Sequence, residues 1–216
     1  EILWLEIMMQ ERTKTPQEAF WAGDFGDDYI GRNNSAQLLA SKLNFFSKAL
    51  RQAGPVTSCL EFGANIGLNL KALQLLYPDI QLQALEINST AVKQLKTLIG
   101  DEQVFEGSIF DYPIAGTVDL VLIKGVLIHI NLDMLECVYE KLYQASSRLI
   151  LIAEYYNPVP VAIPYRGHAD RLFKRDFAGE LMDKYPDLQL EDYGFCYRRD
   201  AAFPGDDGSW FLLRKA

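Results

Sequence analysis

The sequence predicts an α/β fold, in which a mostly parallel sheet carries helices on both faces and ends in an antiparallel hairpin. Short apolar, β-prone runs alternate with segments whose apolar residues recur at helical spacing. The most apolar run, VDLVLIKGVLIHI at 118–130, is typical of a central parallel strand buried on both faces. Near the end of the chain, Asp207-Gly208 separates two strand-like runs and favours a turn between antiparallel strands.

The segment LEFGANIGLNL at 60–70 predicts the end of a strand, a glycine turn and the start of a helix. Glycine at Gly63 and Gly67 tolerates positive φ and lets backbone amides approach a ligand closely. The helix that follows presents free N–H groups at its N-terminus. This stretch is therefore the first candidate binding element.

A second element of the same candidate site is Glu86, near the end of the strand-like run IQLQALEIN. An acidic residue at the tip of a second strand, about 20 residues past a glycine turn, suits a ribose diol. The two elements together predict a βαβ unit that holds a nucleoside-containing cofactor. The alternative is a glycine turn of an α/β protein with a surface glutamate.

The remaining elements follow in the same alternation. Helices are predicted over residues 35–53, 88–99, 132–145 and 177–185. Further strands are predicted within 103–112, 147–156, 188–199 and 209–216. Asn88, Ser89 and Thr90 offer caps for the second of these helices, and Gly100 ends it.

The length of 216 residues predicts a single domain, 1–216. Within it we expect an N-terminal helical or cap segment over 1–54, a Rossmann-like core over 55–216, and a substrate loop at 155–176. Residues 14–34 show no clean period and are predicted to be irregular. The opening run EILWLEIMMQ is too short to span a bilayer, and the absence of an initial methionine leaves room for residues upstream.

The net charge of −8 argues against a nucleic-acid surface. The cysteines Cys59, Cys137 and Cys196 are odd in number and far apart, and only His129 and His168 are available to join them. This makes a weak case for a metal or a disulfide framework, so we expect no metal and a reducing, cytoplasmic setting. No membrane partner is expected, and a homodimer is left open.

The order of elements from about Thr57 to Ala216 resembles the class I S-adenosylmethionine-dependent methyltransferases, whose sheet has seven strands with the last inserted antiparallel. LEFGANIG is similar to the family's first motif, LEIN to its second and KGVLIHI to its fourth. One departure is that Asn65 stands where the common GxGxG form has its middle glycine. The resemblance implies a methyltransferase that uses S-adenosyl-L-methionine and releases S-adenosyl-L-homocysteine.

A narrower resemblance is to the pseudaminic acid biosynthesis-associated methylases. It is carried by FWAGDFGDDYIGRN, LEFGANIGLN, LIKGVLIHI, AEYYNP and YRGHADRLFKRDFAGE, which together cover nearly the full chain. It implies O- or N-methylation of a sugar or sugar-nucleotide in a nonulosonic-acid or surface-glycan pathway. Because the family is named for the pathway that it accompanies, a pathway is implied more firmly than a substrate.

The resemblance also implies residues that contact the cofactor. The turn Gly63, Ala64, Asn65 and Gly67 would pass beneath the methionine and ribose, and Glu86 would accept both ribose hydroxyls. The other implied contacts are Ile87 on the adenine face, Ser108 and Ile109 at its edge, and the Lys124 carbonyl with Gly125 near the methionine amine. Glu61 either attracts that amine or orients the turn. Trp21, Tyr29 and Arg32 either fold over the ligand or belong to a surface loop.

Residues for the acceptor come from the later strands. His129 and His168 are the candidate general bases, with packing or helix capping as the structural alternative. Residues that end the fifth strand or follow it are candidates for substrate binding: Glu154, Tyr155, Tyr156, Asn157, Arg166 and Arg171. The arginines, with Lys174 and Arg175, suit an acidic sugar, and a solvated surface is the alternative.

Two other functions fit the same pattern. A nicotinamide-dependent oxidoreductase also pairs a glycine turn with an acidic ribose ligand, although the terminal hairpin and KGVLIHI argue against it. A non-catalytic module that keeps the fold for partner binding is disfavoured by Glu86 and the glycine turn. Binding of S-adenosylhomocysteine or of NAD separates these alternatives.

Overall fold

The computed structural model describes residues 14–30, 35–165 and 168–216 of the chain; for residues 165 and 168–171 it describes the backbone only. The strands are β1 Ser58–Phe62, β2 Gln81–Glu86, β3 Val104–Glu106, β4 Val118–Lys124, β5 Ser146–Glu154, β6 Val161–Tyr165, β7 His168–Lys174, β8 Leu188–Cys196 and β9 Gly208–Lys215. The α-helices are α1 Pro16–Ala22, α2 Asp24–Ile30, α3 Ala36–Ala49, α4 Leu68–Leu76, α5 Ser89–Ile99, α6 Leu135–Ala145 and α7 Phe177–Lys184.

Seven strands form one sheet in the order β3-β2-β1-β4-β5-β9-β8. The first five strands pair in parallel, whereas β9 lies antiparallel between β5 and β8. The predicted seven-stranded, mostly parallel sheet with an antiparallel C-terminal pair is therefore confirmed. Because β1 lies between β2 and β4, the strand order reverses there, and the carboxyl ends of these strands surround a crevice.

The core lies on both faces of the sheet. On one face, α3, α4 and α5 pack with Phe46, Leu70 and Leu95 fully buried. On the other face, α6 and α7 pack with Leu142 and Leu181 fully buried. Strand β4 contributes to both clusters, as its continuous apolar sequence predicts for a central parallel strand.

Helix α5 shows how closely local signals fix an element. The Asn88 side chain accepts a hydrogen bond from the Ala91 N–H, which makes Asn88 the N-cap, and the helix stops at Gly100. Both ends agree with the sequence prediction. The helix at 132–145 is also present, but its first turn, Leu132–Met134, is a 3₁₀ helix before α6 begins.

The prediction that residues 14–34 are irregular is wrong for residues 14–30, which form α1 and α2. Thr15 and Glu18 make a reciprocal capping box, and Pro16 occupies the first turn of α1. Two helices of this length are too short to show a period, so capping signals rather than periodicity were the informative feature. Residues 31–34 and the opening run 1–13 lie outside the described residues.

The predicted substrate loop at 155–176 contains a two-stranded antiparallel hairpin, in which Val161 pairs with Lys174 and Ile163 with Leu172. Leu172 is buried against the α7 side of the core. Among the helices that the structure describes, none has the length and apolar character needed to cross a bilayer.

Candidate functional site

A cavity of about 370 Å³ opens at the carboxyl ends of β1, β2, β4 and β5. Its walls are completed by α1 to α3 from the N-terminal segment and by residues 203–206 of the loop between β8 and β9. This is the position at which open parallel sheets bind their ligands, and the volume falls in the usual range for small-molecule sites.

The glycine turn forms the floor between β1 and α4. Gly63, Asn65 and Gly67 have φ values of 75°, 50° and 82°, so three positions lie in the left-handed region. A Cβ on Gly63 would lie 2.7 Å from Val126 Cγ2, and one on Gly67 would lie 2.7 Å from Leu95 Cδ1. The turn therefore needs glycine at both ends for conformation and for packing, whereas asparagine is tolerated at its middle because it adopts this conformation more readily than other side chains.

Glu86 ends β2 at the cavity wall and is buried. Its Oε2 accepts a 2.6 Å hydrogen bond from the Asn65 N–H, and its Oε1 accepts a 2.8 Å bond from the Asn88 N–H. Burial raises the pKa of this carboxyl group, while the backbone amides act in the opposite direction. The carboxylate thus holds the glycine turn beside β2 and keeps lone pairs on both oxygens for a ligand.

The N-terminal segment is fastened to this wall through Asn88. The Asn88 Nδ2 donates a 2.9 Å hydrogen bond to Asp27 Oδ1 of α2 and a 3.4 Å bond to the Trp21 carbonyl. The Trp21 ring lies 4.8 Å from the His129 ring, centroid to centroid, and both residues line the cavity. Trp21 and Tyr29, for which the sequence left open a place over the ligand or in a surface loop, both line the cavity.

Glu61 of β1 is fully buried behind the glycine turn and is absent from the cavity lining. Its Oε1 accepts a 2.5 Å hydrogen bond from Asn69 Nδ2, whereas its Oε2 has no hydrogen-bond partner among the described residues. Burial raises the pKa of Glu61 to about 8. This geometry is closer to the orienting role than to direct contact, because the hydrogen bond from Asn69 joins β1 to α4, the helix that follows the turn.

Glu154 ends β5 and also lines the cavity. Its Oε1 accepts 2.9 Å hydrogen bonds from the Val126 and Leu127 N–H groups, so it holds the chain that leaves β4. The Oε2 atom is buried and has no partner within the described part of the chain. Burial raises the pKa of Glu154 to about 7, which makes it a carboxyl group that changes charge near neutral pH.

Two lysines that the sequence analysis did not bring together lie side by side in the wall. Lys42 comes from α3 and Lys124 from the end of β4, and Lys124 Nζ pairs with Asp206 Oδ2 at 2.8 Å. Burial lowers the pKa of Lys42 to about 7. The sequence did contain a signal for Lys42: it lies four residues after Leu38 and three before Phe45, on the inward face of its helix.

Most of the predicted site residues meet at this cavity. Those that line it are Trp21, Gly63, Ala64, Asn65, Glu86, Ile87, Ser108, Ile109, Lys124, Gly125, His129, Glu154 and Tyr155. Gly67 and Glu61 are not part of the lining. Tyr156 packs against Phe211, and Asn157 donates to the Val159 carbonyl at 2.6 Å, so both lie outside the lining.

Four predicted residues have no described side-chain position. Arg32 and Arg166 lie outside the described residues, and His168 and Arg171 are described only as backbone positions of β7. Residues that the sequence analysis missed include Ser41, Lys42, Asn69 and Asp206, all of which line the cavity.

Several buried oxygen atoms of the cavity lining have no hydrogen-bond partner among the described residues, which indicates a polar ligand. Ser41, Asn65, Asn69 and Glu154 each carry a buried oxygen that lacks a hydrogen-bond partner among the described residues. Buried polar atoms are normally paired, so several orphans around one cavity indicate a molecule with its own donors. An adenosyl amino acid, with hydroxyl and ammonium donors, fits this set.

No family model and no curated protein matches the sequence. Solved structures do match, and a Burkholderia thailandensis 1,6-didemethyltoxoflavin-N1-methyltransferase with bound S-adenosylhomocysteine superposes with a TM-score of 0.69 at 16% identity, over 96% of this chain and 93% of that one. The chain has the fold of the class I S-adenosylmethionine-dependent methyltransferases. That fold was predicted from the glycine turn, the LEIN and KGVLIHI segments and the order of elements.

Other structures share this methyltransferase fold. The Synechocystis magnesium protoporphyrin IX methyltransferase with bound S-adenosylhomocysteine has a TM-score of 0.66 at 10% identity, over 92% of this chain and 97% of that one. The mitomycin 7-O-methyltransferase has a TM-score of 0.65 at 14% identity and is matched over 94% of this chain. The chain spans 61% of the length of that enzyme. At these identities the likeness establishes the fold.

Proposed function

We propose that this protein is an S-adenosylmethionine-dependent methyltransferase that methylates an oxygen or nitrogen of a sugar or sugar-nucleotide. The observation that carries the cofactor assignment is the position of Glu86. It ends β2 beside a left-handed glycine turn, lines the cavity, and keeps acceptor capacity after binding two backbone amides. That is the arrangement that a ribose diol requires.

Each part of the proposed cofactor is assigned to different residues of the lining. Glu86 accepts from the ribose, Ile87 packs on the adenine, and Ser108 and Ile109 border its edge. The Ser108 hydroxyl already accepts from the Phe110 N–H at 3.2 Å, which fixes the 3₁₀ turn at that edge. The Lys124 carbonyl, with Gly125, is assigned to the amino-acid part.

The bound cofactor supplies an electrophilic methyl group on a sulfonium. The protein's share is to align the acceptor, exclude water and take up a proton where the acceptor is a hydroxyl. His129 and Glu154 are the two titratable side chains of the described lining that we assign to that proton. His129 is buried against Trp21. Glu154 has a buried oxygen without a hydrogen-bond partner among the described residues, and burial raises its pKa to about 7. His168 remains a third candidate from the sequence.

A nonulosonic-acid or surface-glycan pathway is supported by the sequence resemblance, which spans nearly the full chain. Tyr155 lines the cavity, and the Lys174 ammonium of β7 lies over its ring, 5.0 Å from the ring centre, so a basic side chain of the β6–β7 hairpin contacts a residue of the lining. We keep Arg166 and Arg171 of the same segment as proposed partners of an acidic sugar, and residues 155–176 as the proposed substrate segment.

The nicotinamide-dependent alternative is disfavoured by the sheet. The antiparallel insertion of β9 between β5 and β8 is the arrangement that the resemblance to methyltransferases implies. We further propose a cytoplasmic location, because the three cysteines are free thiols and that compartment keeps thiols reduced. Assembly as a homodimer is proposed without a specific interface.

Calorimetric titration of the protein with S-adenosylhomocysteine and, separately, with NAD tests the cofactor. Saturable binding of the first, abolished by Glu86→Ala, is the expected result. Tight binding of NAD alone would overturn the methyltransferase assignment, and binding of neither would support the scaffold alternative. Incubation of candidate sugar-nucleotides with labelled S-adenosylmethionine, followed by mass spectrometry, then identifies the acceptor.

A further inference from the structure

The cofactor assignment gives no role to the side-chain amines of Lys42 and Lys124, which lie together in the cavity wall. Both residues line the cavity, and Lys124 lies within hydrogen-bonding reach of Lys42. Lys124 is neutralised by Asp206 at 2.8 Å, whereas no carboxylate of the described residues lies within ion-pair distance of the Lys42 amine. Two basic groups therefore meet in the wall with one counter-ion between them.

The surroundings of Lys42 explain why this is unusual. It lies on the inward face of α3, next to the buried Phe45 and Phe46, where a lysine loses most of its hydration. The charged and titratable groups that surround the pair come from several elements: Glu61 of β1, Lys124 of β4, Glu154 of β5, Cys196 of β8, Asp206 of the following loop and Tyr29 of α2. Asp206 already pairs with Lys124, Glu61 already accepts from Asn69, and Glu154 accepts from backbone amides. None of these acids is committed to Lys42.

We propose that Lys42 and Lys124 form a site for an oxyanion, a carboxylate or phosphate group of a bound molecule, and that Lys42 takes up a proton when this group binds. The inference rests on the proposed function for one of its two sources: the carboxylate is either that of the cofactor's methionine part or one carried by the acceptor. The shared chemistry is an oxyanion held between two ammonium groups.

The proton follows from the electrostatics. With protein groups alone, burial lowers the pKa of Lys42 to about 7, and the neighbouring Lys124 ammonium acts in the same direction. An oxyanion within hydrogen-bond distance favours the charged amine and raises that pKa again. At pH 7.5, where the Lys42 amine is mostly neutral, binding should therefore draw roughly half a proton or more from the buffer.

The experiment is calorimetry at pH 7.5 in two buffers of different ionisation enthalpy, which gives the number of protons taken up. One arm titrates S-adenosylhomocysteine and, for comparison, methylthioadenosine, which lacks the amino-acid part. The other arm titrates acetate and inorganic phosphate into protein saturated with S-adenosylhomocysteine. Each arm is run on the wild type and on Lys42→Met, Lys42→Arg and Lys71→Met, with thermal unfolding of every variant.

Lys42-dependent proton uptake with S-adenosylhomocysteine but not with methylthioadenosine would support the proposal and assign the site to the cofactor. Uptake only in the acetate and phosphate arm would support it and assign the site to the acceptor. Lys42→Met should weaken binding in the relevant arm about tenfold. Lys42→Arg should restore affinity without proton uptake, because a guanidinium group is permanently charged. A merely structural lysine would not give that separation.

The control residue Lys71 is exposed on α4 and is not part of the cavity lining, so Lys71→Met should behave as the wild type. If the wild type binds S-adenosylhomocysteine with no Lys42-dependent proton uptake in either arm, the proton step is overturned. If Lys42→Met binds S-adenosylhomocysteine, acetate and phosphate as tightly as the wild type, the oxyanion site is overturned. The methyltransferase proposal stands in both cases. If S-adenosylhomocysteine does not bind at all, the cofactor assignment fails, and acetate and phosphate added to the free protein decide the lysine site alone.

Discussion

The Asn88 side-chain amide donates a 2.9 Å hydrogen bond to the Asp27 carboxylate, which joins the strand end that carries Glu86 to helix α2. The same asparagine caps α5 through its side-chain oxygen and donates its backbone N–H to Glu86. One residue therefore connects the proposed ribose ligand, the following helix and the N-terminal wall of the cavity. Its two functions, capping and bridging, can be separated by mutation.

Replacing Asn88 by alanine should lower the free energy of unfolding by about 1–2 kcal/mol, because α5 loses its N-cap. Asn88→Ser keeps a capping oxygen but cannot reach Asp27, so it should lose less stability. Both variants should bind S-adenosylhomocysteine about tenfold more weakly, since the wall formed by α1 and α2 is released. Denaturant unfolding and calorimetry give the two quantities, and equal affinity of Asn88→Ser and wild type would contradict the bridging role.

The carboxylate of Glu86 accepts from two backbone N–H groups, and this determines which substitution is most informative. In Glu86→Gln an NH₂ group would face either the Asn65 or the Asn88 donor, leaving a buried N–H unpaired. We expect the free energy of unfolding to fall by about 1–3 kcal/mol, and the binding free energy of S-adenosylhomocysteine to weaken by more than that. Denaturant unfolding and calorimetry measure the two quantities.

Glu106 is the matched control, because it is the parallel neighbour of Glu86 at the end of β3 and is exposed. Glu106→Gln should leave both the unfolding midpoint and the affinity near their wild-type values. If Glu86→Gln behaved like Glu106→Gln, the backbone amide contacts of Glu86 would contribute nothing measurable to stability or to cofactor binding.

The parts of the fold that follow from local signals were predictable from the sequence. The caps of α5, the continuous apolar sequence of β4 and the glycine turn each depend on residues within a few positions of one another. The two N-terminal helices were missed because they are too short to show a period, although Thr15 and Glu18 cap the first of them locally. Their position at the cavity could not be predicted, because Trp21 and Asp27 are bound by Asn88, far along the chain.

The same distinction applies to the site. Glu86 could be found because the role that we propose for it is indicated by its spacing from Gly67 along the chain. The lysine pair could not, because Lys42 and Lys124 meet only after α3 packs across the sheet, and the partner of Lys124 is Asp206 from the last loop. The sequence also did not show that Tyr156 and Asn157 lie outside the cavity lining, because this depends on where the chain leaves the cavity after Glu154 and Tyr155.

Substitution of two glycines with nearly the same φ value distinguishes the cost of the left-handed backbone conformation from the cost of overpacking. Gly54 and Gly63 have φ values of 68° and 75°, but a Cβ on Gly54 meets nothing within 4 Å, whereas one on Gly63 meets Val126 Cγ2 at 2.7 Å. Gly54→Ala should therefore cost about 1–2 kcal/mol from the left-handed conformation alone. Gly63→Ala should cost roughly 1–3 kcal/mol more from overpacking, and should also weaken cofactor binding. Equal unfolding midpoints in urea for the two variants would contradict the packing argument.

The buried carboxyl group of Glu61 should make stability depend on pH in a defined direction. Its pKa is raised from 4.5 to about 8, so between these values the folded protein holds a proton that the unfolded chain releases. The free energy of unfolding therefore falls as the pH rises through this window.

The variant Glu61→Gln keeps an oxygen for Asn69 and carries no charge. Its free energy of unfolding should match that of the wild type near pH 5 and exceed it by about 1–3 kcal/mol near pH 9. Denaturant unfolding across pH 5–9 measures this difference, with exposed Glu102→Gln as the control. A difference that is independent of pH would mean that the Glu61 carboxyl group does not titrate inside this window.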